Sequence, residues 1–157
     1  MIRERLGTSI LRRTFQLVFW LPVAVVLSSA ESYAQERSIS GFVTHVRDGD
    51  TIEVAGLAVR FDGVAAPELS ELYGEQSKRA LQGLVAGQRI SCKLPGKKAY
   101  DRWVGKCFLP DGKNLSAEII RMGLARDCPR YSKGRYCGYE TERSRRLAFP
   151  DYCKERS

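Results

Sequence analysis

Apolar and polar positions alternate in five short runs and recur at helical spacing in three longer ones. GFVTHV at 41–46, TIEVA at 51–55, LAVRFDGV at 57–64, QRISCKL at 88–94 and WVGKCFL at 103–109 are short, apolar or β-branched, and bounded by Gly, Pro or Asp. That is the pattern of half-buried strands, with Gly56 as a tight turn between the second and third. GEQSKRALQGLVAG at 74–87 puts Ala80, Leu81, Leu84 and Val85 at helical spacing, opens with an acidic residue and stops at Gly87. NLSAEIIRMGLA at 114–125 does the same with Leu115, Ile119, Ile120 and Leu124. These apolar stripes read as core rather than as binding surfaces. GYETERSRRLAF at 138–149 is a third helical stretch, weakly apolar and strongly charged. Five short strands in about 70 residues predict a small barrel rather than a sandwich, in a mainly β domain of the α+β class.

The first 34 residues have a different pattern. Arg3, Arg5, Arg12 and Arg13 form a positive leader, FQLVFWLPVAVVL at 15–27 is an apolar run, and Ser32 and Ala34 occupy small-x-small positions before Gln35. This is the build of a secretory signal, with cleavage expected after Ala34. An uncleaved anchor is the competing reading, but the run is short for a bilayer span of about 20 residues. The expected organisation is a signal at 1–34 and one domain at 35–157, exported to the periplasm or the medium and without a membrane attachment once cleaved.

Export changes how the charge and the cysteines read. The chain has 26 basic and 18 acidic residues, and removing the leader with its four Arg, Glu4 and Glu31 leaves 22 and 16, a net +6. A small basic exported domain suits a polyanion: nucleic acid, an acidic polysaccharide or a membrane surface. A solvated basic face without a partner is the bland alternative. All five cysteines lie beyond the leader, where disulfides are permitted. There is no C-x-x-C pair and His45 is the single histidine, so a zinc site is not indicated. Cys92 and Cys107 flank a Pro/Gly/Lys-rich turn and would sit nearly opposite in a hairpin, close enough to bridge. Cys128 and Cys153 are candidates for a second bridge tying the tail back, which leaves Cys137 odd; spacing alone leaves the connectivity open.

The chemistry concentrates in three segments. RDGDT places Asp48 and Asp50 around Gly49 at a turn between strands. Carboxylates there are good ligands for calcium or another hard cation, although an Asp-Gly hairpin turn looks the same. VRFDGVAAPE adds Arg60, whose planar fork suits a phosphate, and Glu68, placed to take a proton from water. AYDRWVG adds Arg102. Two arginines, a carboxylate base and a cation are the parts needed for phosphodiester hydrolysis: positive charge stabilises the pentacoordinate phosphate while the base activates water.

The order DGDT, R-x-x-G-V-x-A-P-E, a helix, Y-D-R and then G-L-A resembles the staphylococcal nuclease (thermonuclease) family over residues 40–150. NLSAEIIRMGLARDCPRYS is similar to the family's N-x-x-L-V-x-x-G-L-A helix, and RYCGYETERSRR to its last helix. The resemblance implies an OB-fold barrel of five strands with three helices, and calcium-dependent cleavage of DNA and RNA. It implies that Arg60 and Arg102 are the two phosphate-binding catalytic arginines and Glu68 the general base. Asp50 takes the place of the first calcium ligand, Asp48 that of an acid behind it, and the backbone carbonyl of Ala66 that of a main-chain ligand. Tyr100 takes the place of an aromatic beside the nucleotide.

Ala65 departs from this pattern, since the family has there the Asp that supplies the second carboxylate to calcium. Losing one of two charged ligands weakens a hard-cation site. Residues 60 and 62 share a strand face by alternation, so Asp62 is the candidate to supply the missing oxygen, directly or through water. Retention of both arginines, Glu68 and Asp50 favours an active, metal-assisted nuclease with a weakened calcium site. A second reading is a barrel that grips single strands by charge and by stacking on Tyr100, Trp103, Tyr131 and Tyr136 without cutting. A third, implied by exported relatives, is an accessory of exopolysaccharide production. The expected partner is single-stranded DNA or RNA as substrate; no stable protein partner is indicated and a monomer is expected.

Overall fold

The computed structural model describes residues 36–154; the leader and the cleavage point after Ala34 lie outside them. Strand β1 (Arg37–Asp48) is long enough to serve two neighbours. Its first half pairs antiparallel with β5 (Arg89–Leu94), from Arg37↔Leu94 to Phe42↔Arg89. Its second half pairs with β2 (Thr51–Val54), and the register slips between Val43 and His45 and again between Val46 and Asp48. Such irregularities bend a strand and raise its twist, as a closing barrel requires. β2 turns through Ala55 and Gly56, both at positive φ, into β3 (Leu57–Phe61). This is the backbone of a tight primed hairpin turn.

Closure comes from β7 (Arg102–Phe108), which runs antiparallel to β5 and parallel to β3. The ring β3-β2-β1-β5-β7 is thereby complete, a five-stranded OB-fold barrel. Gly105 faces Phe61 at the parallel seam. A Cβ there would lie 2.8 Å from the Lys93 carbonyl oxygen and 2.6 Å from Leu94 Cδ2, so the seam closes on bare backbone. Two-residue strands add to the ring: β6 (Lys98–Ala99) beside β7, and β4 (Val64–Ala65) paired with β8 (Arg126–Asp127).

Inward side chains of the strands, among them Val46, Ile52, Val54, Val59, Phe61, Ile90 and Leu94, form one core with Leu81 and Val85 of α1 (Gly74–Val85) and Leu115, Ile119 and Ile120 of α2 (Leu115–Arg121). The predicted stripes thus face inward. α2 starts where Asn114 accepts a hydrogen bond from the Ala117 N–H (3.3 Å). It ends earlier than the expected 125 because Gly123 takes a positive φ. Among the described residues there are four α-helices where three were expected. Pro129 opens a one-turn helix α3 (Pro129–Ser132), in the position proline favours. The predicted third helix is broken into a 3-10 turn at Cys137–Tyr139 and the short α4 (Glu142–Arg145), which Thr141 and Ser144 start afresh with a capping box.

Both expected disulfides are formed. Cys92 and Cys107 are directly opposite on β5 and β7 and buried in the barrel core. Cys128–Cys153 ties the head of α3 to a 3-10 turn at Asp151–Cys153. Cys137 is free and exposed. Among the described residues no helix is long and apolar enough to cross a membrane.

Candidate active site

The site grows from the turn Asp48–Gly49–Asp50. The Asp48 carboxylate accepts the Asp50 N–H (2.9 Å), a local side-chain bond that shapes the turn. Gly49 lets this turn lie against α1: a Cβ there would fall 1.9 Å from Ser77 Oγ and 2.7 Å from Ala66 Cβ. Ser77 is immobilised in turn by donating to the Leu124 carbonyl (2.9 Å). Gly49→Ala is therefore expected to cost about 2 kcal/mol, the scale of overpacking a closed site. Urea unfolding of the variant measures it.

Asp50 is 2 % exposed and both oxygens of its carboxylate are hydrogen-bonded. Oδ1 accepts Arg60 Nη1 (2.8 Å) and the Thr51 hydroxyl (3.1 Å), and Oδ2 accepts the Ala66 N–H (3.2 Å). Arg60 stands opposite Thr51 across the β2–β3 pair, which explains its reach. Arg102, at the start of β7, donates through Nη1 to the same Thr51 hydroxyl (3.2 Å). One buried carboxylate and one buried hydroxyl thus hold both arginines. Burial pushes the Asp50 carboxyl up to about 7, against the pull of the Arg60 charge and with a further push from Asp48. Burial is the largest single influence on Arg60 and works against its charge, but Asp50, Tyr152 and Asp48 together outweigh it and hold the guanidinium above its ordinary value.

Glu68 follows Pro67 in the loop after β4 and is exposed. Its carbonyl accepts the Glu71 N–H (2.8 Å) and its own N–H donates to the Glu71 carboxylate (2.9 Å). The loop lies on the start of α1, where a Cβ at Gly74 would come within 1.9 Å of the Glu68 carbonyl oxygen. Tyr152, in the C-terminal tail, reaches Arg60. Its hydroxyl accepts Arg60 Nη2 (3.3 Å). Its phenol is pushed up by burial, opposed by the Arg60 charge and reinforced by Asp50 and Glu68. Arg60, Asp50 and Tyr152 thus form one hydrogen-bonded group, and Glu68 lies two residues beyond Ala66, whose N–H joins it.

Two expected members stand apart. Asp62 does not join Asp50; its carboxylate is paired with Arg135 (3.2 Å). The alternation that put it beside Arg60 stops at Phe61, where β3 ends, and the chain turns at Asp62 and Gly63, the latter at φ 75°. Tyr100 is 94 % exposed at the β6–β7 turn, while its neighbour Asp101 pairs with Arg47 (2.6 Å). Two functional positions escaped sequence reasoning. Thr51 was visible as the last letter of DGDT, but a hydroxyl shared between a carboxylate and an arginine has no sequence signature. Tyr152 is brought to Arg60 by the bridge at Cys153, and its adjacent cysteine was the available signal.

Ala65 has a specific environment. It is buried in a small cluster with Cys128, Cys153 and Phe149, and Arg126 lies over the Phe149 ring (4.5 Å). The residue that replaces the expected acid is thus a seat for the second disulfide. For calcium the donors present do not make a cage. The ion takes six to eight oxygens and gains affinity from carboxylates. Here Asp50 is committed to Arg60, Thr51 and Ala66 N, Asp48 to its own turn, and Asp62 to Arg135. Among the described residues no group of three or more His, Cys, Asp or Glu side chains is placed to hold a metal ion.

Residues 58–145 match the family described as staphylococcal nuclease homologue. The succinoglycan biosynthesis protein ExoI of Rhizobium meliloti is 36 % identical over 125 residues, covering 73 % of this chain and 64 % of its own. A protein described as an uncharacterized endonuclease in Escherichia coli O157:H7 is 35 % identical over 91 residues, 55 % of this chain and 60 % of its own. The endonuclease Htp3 of Saprolegnia parasitica is 31 % identical over 125 residues, 60 % of this chain and 58 % of its own. The chain spans less than two thirds of the length of each of these relatives.

Proposed function

Because the chain belongs to the staphylococcal nuclease family, we propose that it hydrolyses phosphodiester bonds in nucleic acid, acting on single-stranded or frayed DNA and RNA. The observation that carries this reading is the convergence of Arg60 and Arg102 on the Asp50–Thr51 pair, with an exposed Glu68 two residues beyond Ala66, whose N–H binds Asp50. The N–H groups of the two guanidinium groups that are not used inside the protein bind the oxygens of one phosphate. Fixed in advance by buried partners, they meet the charge that develops on the pentacoordinate phosphate without reorganising. Glu68 takes a proton from the attacking water, and the departing ester oxygen acquires one from solvent. With one committed carboxylate and the Ala66 carbonyl as its protein donors, a divalent cation is a weak contributor. The expected calcium requirement is accordingly relaxed.

The relatives named as endonucleases support cutting, and the basic surface supports a polyanion. The decisive assay is cleavage of single-stranded DNA and RNA by the purified protein in excess chelator and in calcium, magnesium or manganese, beside Glu68→Ala. Cleavage is expected to fall at least a hundredfold in the variant, with binding retained. Binding without cleavage in every condition sinks the enzymatic reading. It would leave the second one, a polyanion-binding barrel, which the relative named for succinoglycan biosynthesis extends to acidic glycans.

The leader at 1–34 and two disulfides suit an oxidising compartment, so the reading includes export to the periplasm or medium. N-terminal sequencing of the exported protein is expected to begin at Gln35.

A further inference from the structure

We infer that the disulfide-tethered C-terminal tail is a working part of the site and that Tyr152 positions Arg60 for the phosphate, an inference that rests on the phosphodiesterase reading. The tail lies beyond the part of the chain matched by the family, which ends at 145. It reaches the site through one covalent anchor: Cys153, fully buried, is bonded to Cys128, with Ala65 and Phe149 packed around the bridge. The 3-10 turn Asp151–Cys153 then directs the preceding side chain at Arg60, whose Nη2 donates to the Tyr152 hydroxyl (3.3 Å).

The consequence for Arg60 is geometric. A guanidinium held at one end swings about that bond; held at Nη1 by Asp50 and at Nη2 by Tyr152, its plane is set. The Tyr152 oxygen accepts from the arginine, so its own O–H is free to donate to the same phosphate. Ala65 and Tyr152 are two sides of one arrangement. A methyl group at 65 fits against the Cys128–Cys153 bridge, and the bridge is what delivers the phenol.

The test is a double-mutant cycle on a short single-stranded oligodeoxynucleotide. Tyr152→Phe keeps the ring and the bridge and removes the hydroxyl. It is expected to lower kcat/KM about tenfold, the loss of one hydrogen bond to a charged group, with unchanged melting. In an Arg60→Lys background, where an ammonium replaces the two-ended fork, the same change is expected to have less than about a twofold effect. Cys153→Ser, which frees the tail, is expected to reproduce the Tyr152→Phe loss in the native background. Wild-type rates in Tyr152→Phe, or equal losses in both backgrounds, overturn the inference. If the wild-type protein does not cut at all, the phosphodiesterase reading fails separately. The same cycle is then read as the Kd of a fluorescent oligodeoxynucleotide in chelator, where an absent or additive effect of Tyr152→Phe overturns the inference.

Discussion

Arg60→Ala is expected to lose cleavage at least a hundredfold and to destabilise the fold by about 3–5 kcal/mol at the same time. The two effects have one origin. Among the described residues Arg60 is the sole cationic partner of the buried Asp50 carboxylate, at 2.8 Å, and Asp48 stands close enough to make that carboxylate's charge still less favourable. Removing the guanidinium strands a charge where water does not reach, and the carboxylate must either take up a proton or open the turn. Phosphate binding is lost with the same side chain. Arg102→Ala separates the two effects: Arg102 is partly exposed and, among the described residues, its side chain bonds only to Thr51 Oγ1, so the variant is expected to lose comparable activity with little loss of stability. Urea unfolding and cleavage rates on the two variants provide the check. Equal stability of both would mean that the Arg60–Asp50 pair contributes nothing to the fold.

Much of this site was legible because its residues follow short-range rules. Asp48, Gly49 and Asp50 sit at a strand-to-strand turn, Arg60 lies in the adjoining strand, and the five barrel strands announce themselves by alternation. The Cys92–Cys107 pair followed from hairpin symmetry. What escaped depends on contacts distant in sequence or on local endings. Asp62 is paired with Arg135 rather than set beside Asp50 because alternation holds only while a strand lasts, and β3 stops one residue earlier. Helix 138–149 failed because Thr141 competes as a new cap inside it. Thr51 and Tyr152 acquire roles only when β7 and the tail are folded against β2 and β3.

Restoring the family's acid with Ala65→Asp is expected to harm the protein. Position 65 is 3 % exposed and shares its surroundings with two bridged sulfurs and Phe149. A carboxylate there carries the desolvation penalty of a buried polar group, about 2–4 kcal/mol, and its cross-strand neighbour Arg126 is already paired with Glu140. The melting temperature is expected to fall by several degrees and calcium is expected to stimulate cleavage no more than in the wild-type protein. The same substitution in a Cys128→Ser, Cys153→Ser background, where the bridge no longer fills the space, is expected to be better tolerated. Unchanged melting with a tenfold gain in calcium stimulation would show instead that the alanine is a simple loss of a ligand.

The parallel seam between β3 and β7 has a kinetic consequence. Residues 59–61 and 103–105 must meet across a long stretch of intervening chain, a contact whose loop entropy has to be overcome before it yields any stabilisation. Arg60 and Arg102 stand on the two strands of that seam, so no partly folded chain carries the complete charge cluster. During refolding, recovery of catalysis should lag behind recovery of the hairpins and track the final closure. Under the proposed function, the nuclease would then stay inactive until the parallel seam has closed.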